Sequence, residues 1–283
     1  MSDISAIPER PPVRQGRGSL EVQVVAGLST IVSARSSNPL KLLTPISRGH
    51  SVWACLGSLG GGLVAGDKIE FSLNLGPESC CFLGSQASTK IYRSPEDRLC
   101  TYSLRATLGQ GALLVAAPDP IQAFSGSCYQ QTQEFFLKSR SGLVLVDWLT
   151  SGRAARGERW SFSSFHSRNE VYLEGKRIVL DSLFLSPEDG PLNGPYRLGR
   201  FNALAMFLVI GEPFRAESQA LLRQIANLPV TRQAPLICSA GPVTQGVLVR
   251  LAGQNVEHVA AEIRRLLAFL PNYLQYDPWS RKW

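Results

Sequence analysis

Three stretches of the chain share one layout: NLGPESCCFLGSQ (74–86), TLGQGALLVAAPD (107–119) and KSRSGLVLVDWLT (138–150). Each opens on a tight turn of small or polar residues and runs into an apolar strand. Aligned on Cys80, Leu113 and Leu143, they recur at offsets of 33 and 30 residues. A period near that length means stacked units, none of which buries its strand alone and each of which covers its neighbour. Other strands fit the same reading. Ser19 to Val25 and Leu99 to Leu108 are strand-like, and NEVYLEGKRIVLD (169–181) reads as a hairpin turning at Gly175. Helical periodicity appears only late, over Ala216–Leu228 and Val256–Leu270. Asn255 caps the second and Pro271 ends it. Asn202–Ile210 is an apolar run that fits either a helix or a buried strand. The expected fold is mainly β, a β-helix-like (solenoid-type) stack of strands with about two α-helices in the C-terminal third. Residues 17–270 form one domain, flanked by arms at 1–16 and 271–283.

The glycine-rich segment LGGGLVAGDKIEFSLNL (59–75) imitates a phosphate-binding loop. Gly61 and Gly66 have the spacing, but Asp67 stands where the lysine belongs and its charge would repel a phosphate. Lys68 to Leu75 alternates with period two, with Ile69, Phe71, Leu73 and Leu75 on one face. It is a half-buried strand, whereas a phosphate needs a helix N-terminus. The turn therefore delivers an aspartate, not a nucleotide site.

Composition narrows the remaining classes. A chain of 283 residues, 44% hydrophobic and 18% charged, can bury a large core. No apolar run approaches the roughly 20 residues that span a bilayer, and the N-terminus lacks a signal core, which points to the cytoplasm. The six cysteines include no CxxC and read as ordinary thiols. Three scattered histidines do not make a zinc hydrolase or a histidine metal trap. The net charge of +7 comes from dispersed basic residues with no nucleic-acid motif.

Several residues stand out chemically. Asp147 interrupts the apolar strand GLVLVDWL, so it needs a charge or hydrogen-bond partner, for which Arg153 or Arg156 are candidates. Asp181 poses the same problem at the end of RIVL. The polar corner SQASTKIYRS (85–94) is either an exposed bend or a functional loop. Arg153, Arg156 and Glu158 are candidates for an ion-pair network, and Phe124 for a packed or partner-facing ring. In the C-terminal arm, Tyr273, Tyr276, Trp279 and Trp283 beside Arg281 and Lys282 have the composition of an interface. Separated carboxylates without histidines suit either loose handling of a divalent cation or a β-solenoid carbohydrate-active enzyme with paired carboxylates. Aromatics at 8% are few for the latter.

GGLVAGD (61–67), QASTKIYRS (86–94), PDPIQAF (118–124) and GRAARGE (152–158), in that order, resemble the urease accessory protein D family, also called UreD or UreH. The similarity runs from about Gly18 to about Leu270. It implies a nickel-urease maturation chaperone and not an enzyme. Its partners would be apo-urease, accessory protein F and the GTPase accessory protein G, and its fold a β-helix-like stack with two helices. It also implies nickel(II) in transit through an internal passage, with no tightly bound cofactor. The passage positions carried over are Asp67, Ser88, Asp147 and Asp181. Lys90, Tyr92, Arg93, Phe124, Arg153 and Glu158 are the candidate partner-binding residues.

Overall fold

The computed structural model describes residues 13–46, 49–229 and 231–280. Residues 1–12 and the tail residues Arg281, Lys282 and Trp283 lie outside the described residues. Two sheets face each other across one core. The chain enters through β1 (Gln15–Val25), β2 (Leu28–Ser36) and β3 (Leu40–Leu43), then alternates between the sheets. β5 (Lys68–Leu75), β8 (Cys100–Leu108), β11 (Cys128–Leu137) and β13 (Ser164–Leu173) lie side by side and parallel in the first sheet. β4 (Val52–Ser58), β6 (Cys80–Ser85), β9 (Leu113–Ala116) and β12 (Gly142–Thr150) do the same in the second. Two short strands, β7 (Lys90–Ile91) and β10 (Ile121–Ala123), bridge the connections. The result is a solenoid of about four turns.

The three repeat segments form its stacked corners. Gly109 N donates to Leu75 O at 2.8 Å, and Lys138 N donates to Leu108 O at 3.1 Å. The corners pack so closely that a Cβ on Gly109 would lie 2.7 Å from Pro77 N, which explains a glycine there. Cys80 lies opposite Leu113 as the repeat predicts. In the third unit Leu113 faces Gly142, one residue before Leu143. That correction matters, because a one-residue slip exchanges the faces of a strand.

Antiparallel strands extend both sheets past the solenoid. β14 (Lys176–Leu185) completes the expected hairpin, which turns through Glu174 and Gly175 at φ 47° and 79°. β15 (Ala203–Ile210), β16 (Leu236–Val243) and β17 (Gly246–Gly253) lengthen the second sheet. The ambiguous run 202–210 is thus a strand, apolar throughout because it is covered on both faces. Residues 143, 145 and 149 of β12 face the first sheet, whereas 144, 146 and 148 face a helical layer. That layer is α1 (Arg215–Ala226), α2 (Val256–Leu266) and α3 (Leu270–Leu274). Asn255 caps α2, its Oδ1 accepting from His258 N at 2.9 Å. Pro271 does not end α2, which stops at Leu266. The proline sits in the first turn of α3, where its missing N–H forfeits no helical bond. Beyond 270 the chain packs onto the second sheet: Leu274 is fully buried and Tyr276 meets the Trp53 ring edge-on at 5.7 Å.

Leu145 is fully buried between the sheets at the centre of the stack. Leu145→Ala is expected to lower unfolding free energy by about 2–5 kcal/mol, read from denaturant midpoints. Tyr196→Ala, at a fully exposed ring, should change it by less than about 0.5 kcal/mol.

Candidate functional site

Inward-facing residues of both sheets are apolar at the early strands and turn polar towards β13 and β14. One row across the first sheet runs Phe71, Leu104, Gln133, Asn169, Asp181. The facing row in the second sheet runs Asp147, Met206, Arg250. Two cavities open between them, each roomy enough to admit water. One of about 90 Å³ reaches from Asp119 and Tyr102 to Asp147. The other, of about 320 Å³, is lined by Asp147, Asp181, Met206 and Arg250. Asp147 borders both.

Asp147 keeps partial solvent accessibility in the middle of the protein because it faces these cavities. Its Oδ1 accepts from Gln131 Nε2 at 2.8 Å, and its Oδ2 accepts from Ser167 Oγ at 2.5 Å and Asn169 Nδ2 at 2.9 Å. The alternation of β11 and β13 presents these three donors: in each strand every second residue points inward, and register sets Gln131 beside Ser167. Among the described residues no cation pairs with Asp147, so the expected Arg153 or Arg156 partner is corrected. Arg153 pairs with Glu158 instead, its Nε donating to Glu158 Oε2 at 2.9 Å. Burial pushes the Asp147 carboxyl above its ordinary value of 3.8. The three hydrogen bonds partly offset this, and the Asp181 charge adds to the rise.

Asp181, expected from its sequence context at the end of a strand, stands instead in the middle of β14, which continues to Leu185. It lies at the edge of the first sheet, 8% exposed, and is held by the Arg250 guanidinium reaching over from β17. Arg250 is a residue that sequence reasoning missed. The available signal was an arginine in the apolar run VLVRLAG, on the inward parity of Leu248. Asp119 was missed as well. It sits between two prolines after β9 and accepts from Ser85 Oγ at 2.9 Å.

The structure separates the other carried-over positions from this group. Asp67 is fully buried but lines neither cavity. Gly66, at φ 85°, turns the chain so that the Asp67 carboxylate meets Arg14: Nε donates to Oδ1 at 2.9 Å and Nη2 to Oδ2 at 2.5 Å. Val64 N also donates to Oδ2 at 2.9 Å. This bidentate pair pushes the Arg14 guanidinium above its ordinary value. Ser88 is half-buried in the loop before β7 and lines neither cavity, whereas its neighbour Thr89 lines the smaller one. The partner-binding candidates do gather. The Tyr92 and Phe124 rings meet edge-on at 5.4 Å, and the Arg153 guanidinium lies 4.3 Å over Phe124. Phe124 is 8% exposed, so it packs and does not project. Lys90 and Arg93 are exposed nearby.

The arrangement is a stacked, twin-sheet scaffold with a carboxylate at the junction of two internal cavities. The family model for the UreD urease accessory protein matches residues 14–283. The chain belongs to the UreD family. Urease accessory protein UreD of Sorangium cellulosum is 42% identical over 95% of this chain and 85% of the relative. That of Anaeromyxobacter sp. is 38% identical over 96% and 92%. Urease accessory protein D of Arabidopsis thaliana is 32% identical over 93% and 99%. This UreD-family chain is therefore a urease accessory protein, and the comparisons do not favour the carbohydrate-active alternative. Among its described residues no helix is long and apolar enough to cross a membrane.

Two outcomes check this geometry. The native state holds the Asp147 proton more tightly than the unfolded chain does. The stability this gives is fully present below pH 3.8 and is lost as pH rises through the raised folded-state value. Relative to Asp147→Asn, which cannot titrate, the wild-type Tm should fall steadily from about pH 4 upward. A pH-independent difference would remove the assignment. Separately, Arg14→Ala leaves a buried carboxylate with only one backbone donor. It should destabilise by about 1–3 kcal/mol, measured by denaturant unfolding.

Proposed function

We propose that this UreD-family chain is a non-catalytic factor in assembly of the urease nickel centre. It acts in the cytoplasm, scaffolds accessory protein F and the GTPase accessory protein G on apo-urease, and passes nickel(II) along its interior. The observation that carries the reading is Asp147: a carboxylate between the sheets that faces both cavities, is hydrogen-bonded by three neutral side chains and has no cation paired to it among the described residues. A charge so placed lowers the free energy of a dication in a region where desolvation otherwise opposes it. Oxygen donors of this kind bind loosely enough to release the ion again. Asp181, on the wall of the larger cavity, gives a second stop. Asp67 and Ser88 serve the scaffold near the loops flanking β7, and Asp67 acts through its clamp on Arg14. The cluster around Phe124 and Arg153, with Lys90, Tyr92, Arg93 and Glu158, is the surface proposed to meet a partner.

The test is urease activity and nickel per urease active site in cells lacking this gene, complemented with wild type or Asp147→Ala. Asp147→Ala is expected to retain the accessory partners in a pull-down while urease stays abundant and nickel-poor. Full nickel loading by Asp147→Ala would sink the passage. Fully active urease in the deletion strain would sink the maturation role itself.

A further inference from the structure

The Asp181–Arg250 pair sits where the larger cavity meets the outside, and its two halves are placed differently. The Asp181 side chain is 9% exposed and faces the cavity, whereas the Arg250 side chain is 59% exposed and reaches in from the opposite sheet. The pair closes the gap between β14, the last strand of the first sheet, and β17, next to the last strand of the second. Other residues at this gap carry no charge: Ser182 and Leu183 on one side, Ile237 and Ser239 on the other. Among the described residues that line this cavity, Arg250 is the one cation.

We propose that Arg250 is an electrostatic gate, competing with the transported dication for Asp181 and closing this end of the cavity until it is displaced. The proposal rests on the passage reading above and adds the residue that regulates it. Three features support it. With the guanidinium in place Asp181 is neutralised, and a dication approaching that carboxylate also meets a positive charge beside it. With the guanidinium swung out, Asp147 and Asp181 face one cavity with no cation between them, and oxygen ligands alone suit a hard or borderline dication. The swing itself needs no repacking, since the arginine is mostly in solvent and only its tip is engaged. Met206, in register between Asp147 and Arg250, keeps the two apart along the wall with an uncharged side chain. Because Asp181 is buried while Arg250 is exposed, removing the arginine also costs stability, and the folded-state check on each variant separates a gating role from a structural one.

The experiment is direct titration of the full-length protein with Ni²⁺ by equilibrium dialysis or calorimetry. The variants are Arg250→Met, Arg250→Gln, Arg250→Lys and the double substitution Arg250→Met with Asp181→Asn. Arg250→Met and Arg250→Gln are both expected to bind Ni²⁺ at least about tenfold more tightly than wild type, because a unit charge is removed beside the ligand. Arg250→Lys should stay near the wild type, and the double variant should lose the gain. Melting by circular dichroism establishes that each variant is folded, and two uncharged replacements guard against one misfolding. Unchanged or weaker Ni²⁺ binding by the folded Arg250→Met or Arg250→Gln protein would overturn the gate. So would a gain that survives Asp181→Asn. Neither result touches the Asp147→Ala delivery assay, so the gate and the passage fail separately: normal delivery by Asp147→Ala ends both, whereas unchanged affinity at position 250 ends the gate alone.

Discussion

Corner-to-corner stacking of the solenoid turns is the constraint on which the rest depends. Each corner donates backbone hydrogen bonds to the one before it, as Gly109 does to Leu75 and Lys138 to Leu108. Those bonds fix the register of β5, β8, β11 and β13 in one sheet and of β6, β9 and β12 in the other. Register in turn decides which face of each strand looks inward. For β12 the consequence is sharp. Leu143, Leu145 and Leu149 fill the space between the sheets, and Asp147 has the same parity. A slip by one residue would turn Asp147 to the helix-covered face, away from Gln131, Ser167 and Asn169, and bring Val146 and Trp148 inward.

The polar interior results from the same alternation. Gln131 and Gln133 are inward polar residues of β11, and Ser167 and Asn169 of β13. Gln131, Ser167 and Asn169 donate to the Asp147 carboxylate, and Gln133 holds Asn169 in place. Burying a carboxylate at all is costly, and neutral donors compensate only in part. That residual cost is relieved when the carboxyl takes up a proton, which is the direction in which burial shifts it. The nearby acid is treated otherwise: Asp181 has its own arginine. The two carboxylates of the cavity are therefore unlike in kind: Asp147 is held by neutral donors and Asp181 by an arginine.

The buried acids are held in different ways. Asp67, first noticed because it breaks a phosphate-loop pattern, is clamped by Arg14 and by Val64 N and lines neither cavity. It ties the N-terminal segment to the start of β5. The Phe124 cluster is similarly structural at its centre and exposed only at its rim, where Lys90 and Arg93 stand.

The architecture and its anomalous acid are both written in the residue pattern. Its turn-and-strand repeat specified the stack, because each unit has an apolar strand that only a neighbour can cover. The late helical periods located the outer layer, with Asn255 as a cap. An aspartate within GLVLVDWL marked the interior site before any contact was known. Where structure and sequence pattern differ, the difference is local: the third strand pairs one residue earlier than the repeat implies, and Pro271 begins a helix instead of ending one. Partnership between distant side chains came from the assembled sheets alone. Asp181 meets an arginine 69 residues away and Asp67 one 53 residues away, whereas Asp147 meets none among the described residues, although Arg153 and Arg156 stand close in sequence. Periodicity shows which face a side chain is on. Which side chain stands opposite depends on how two separate sheets face one another, and no local pattern carries that information.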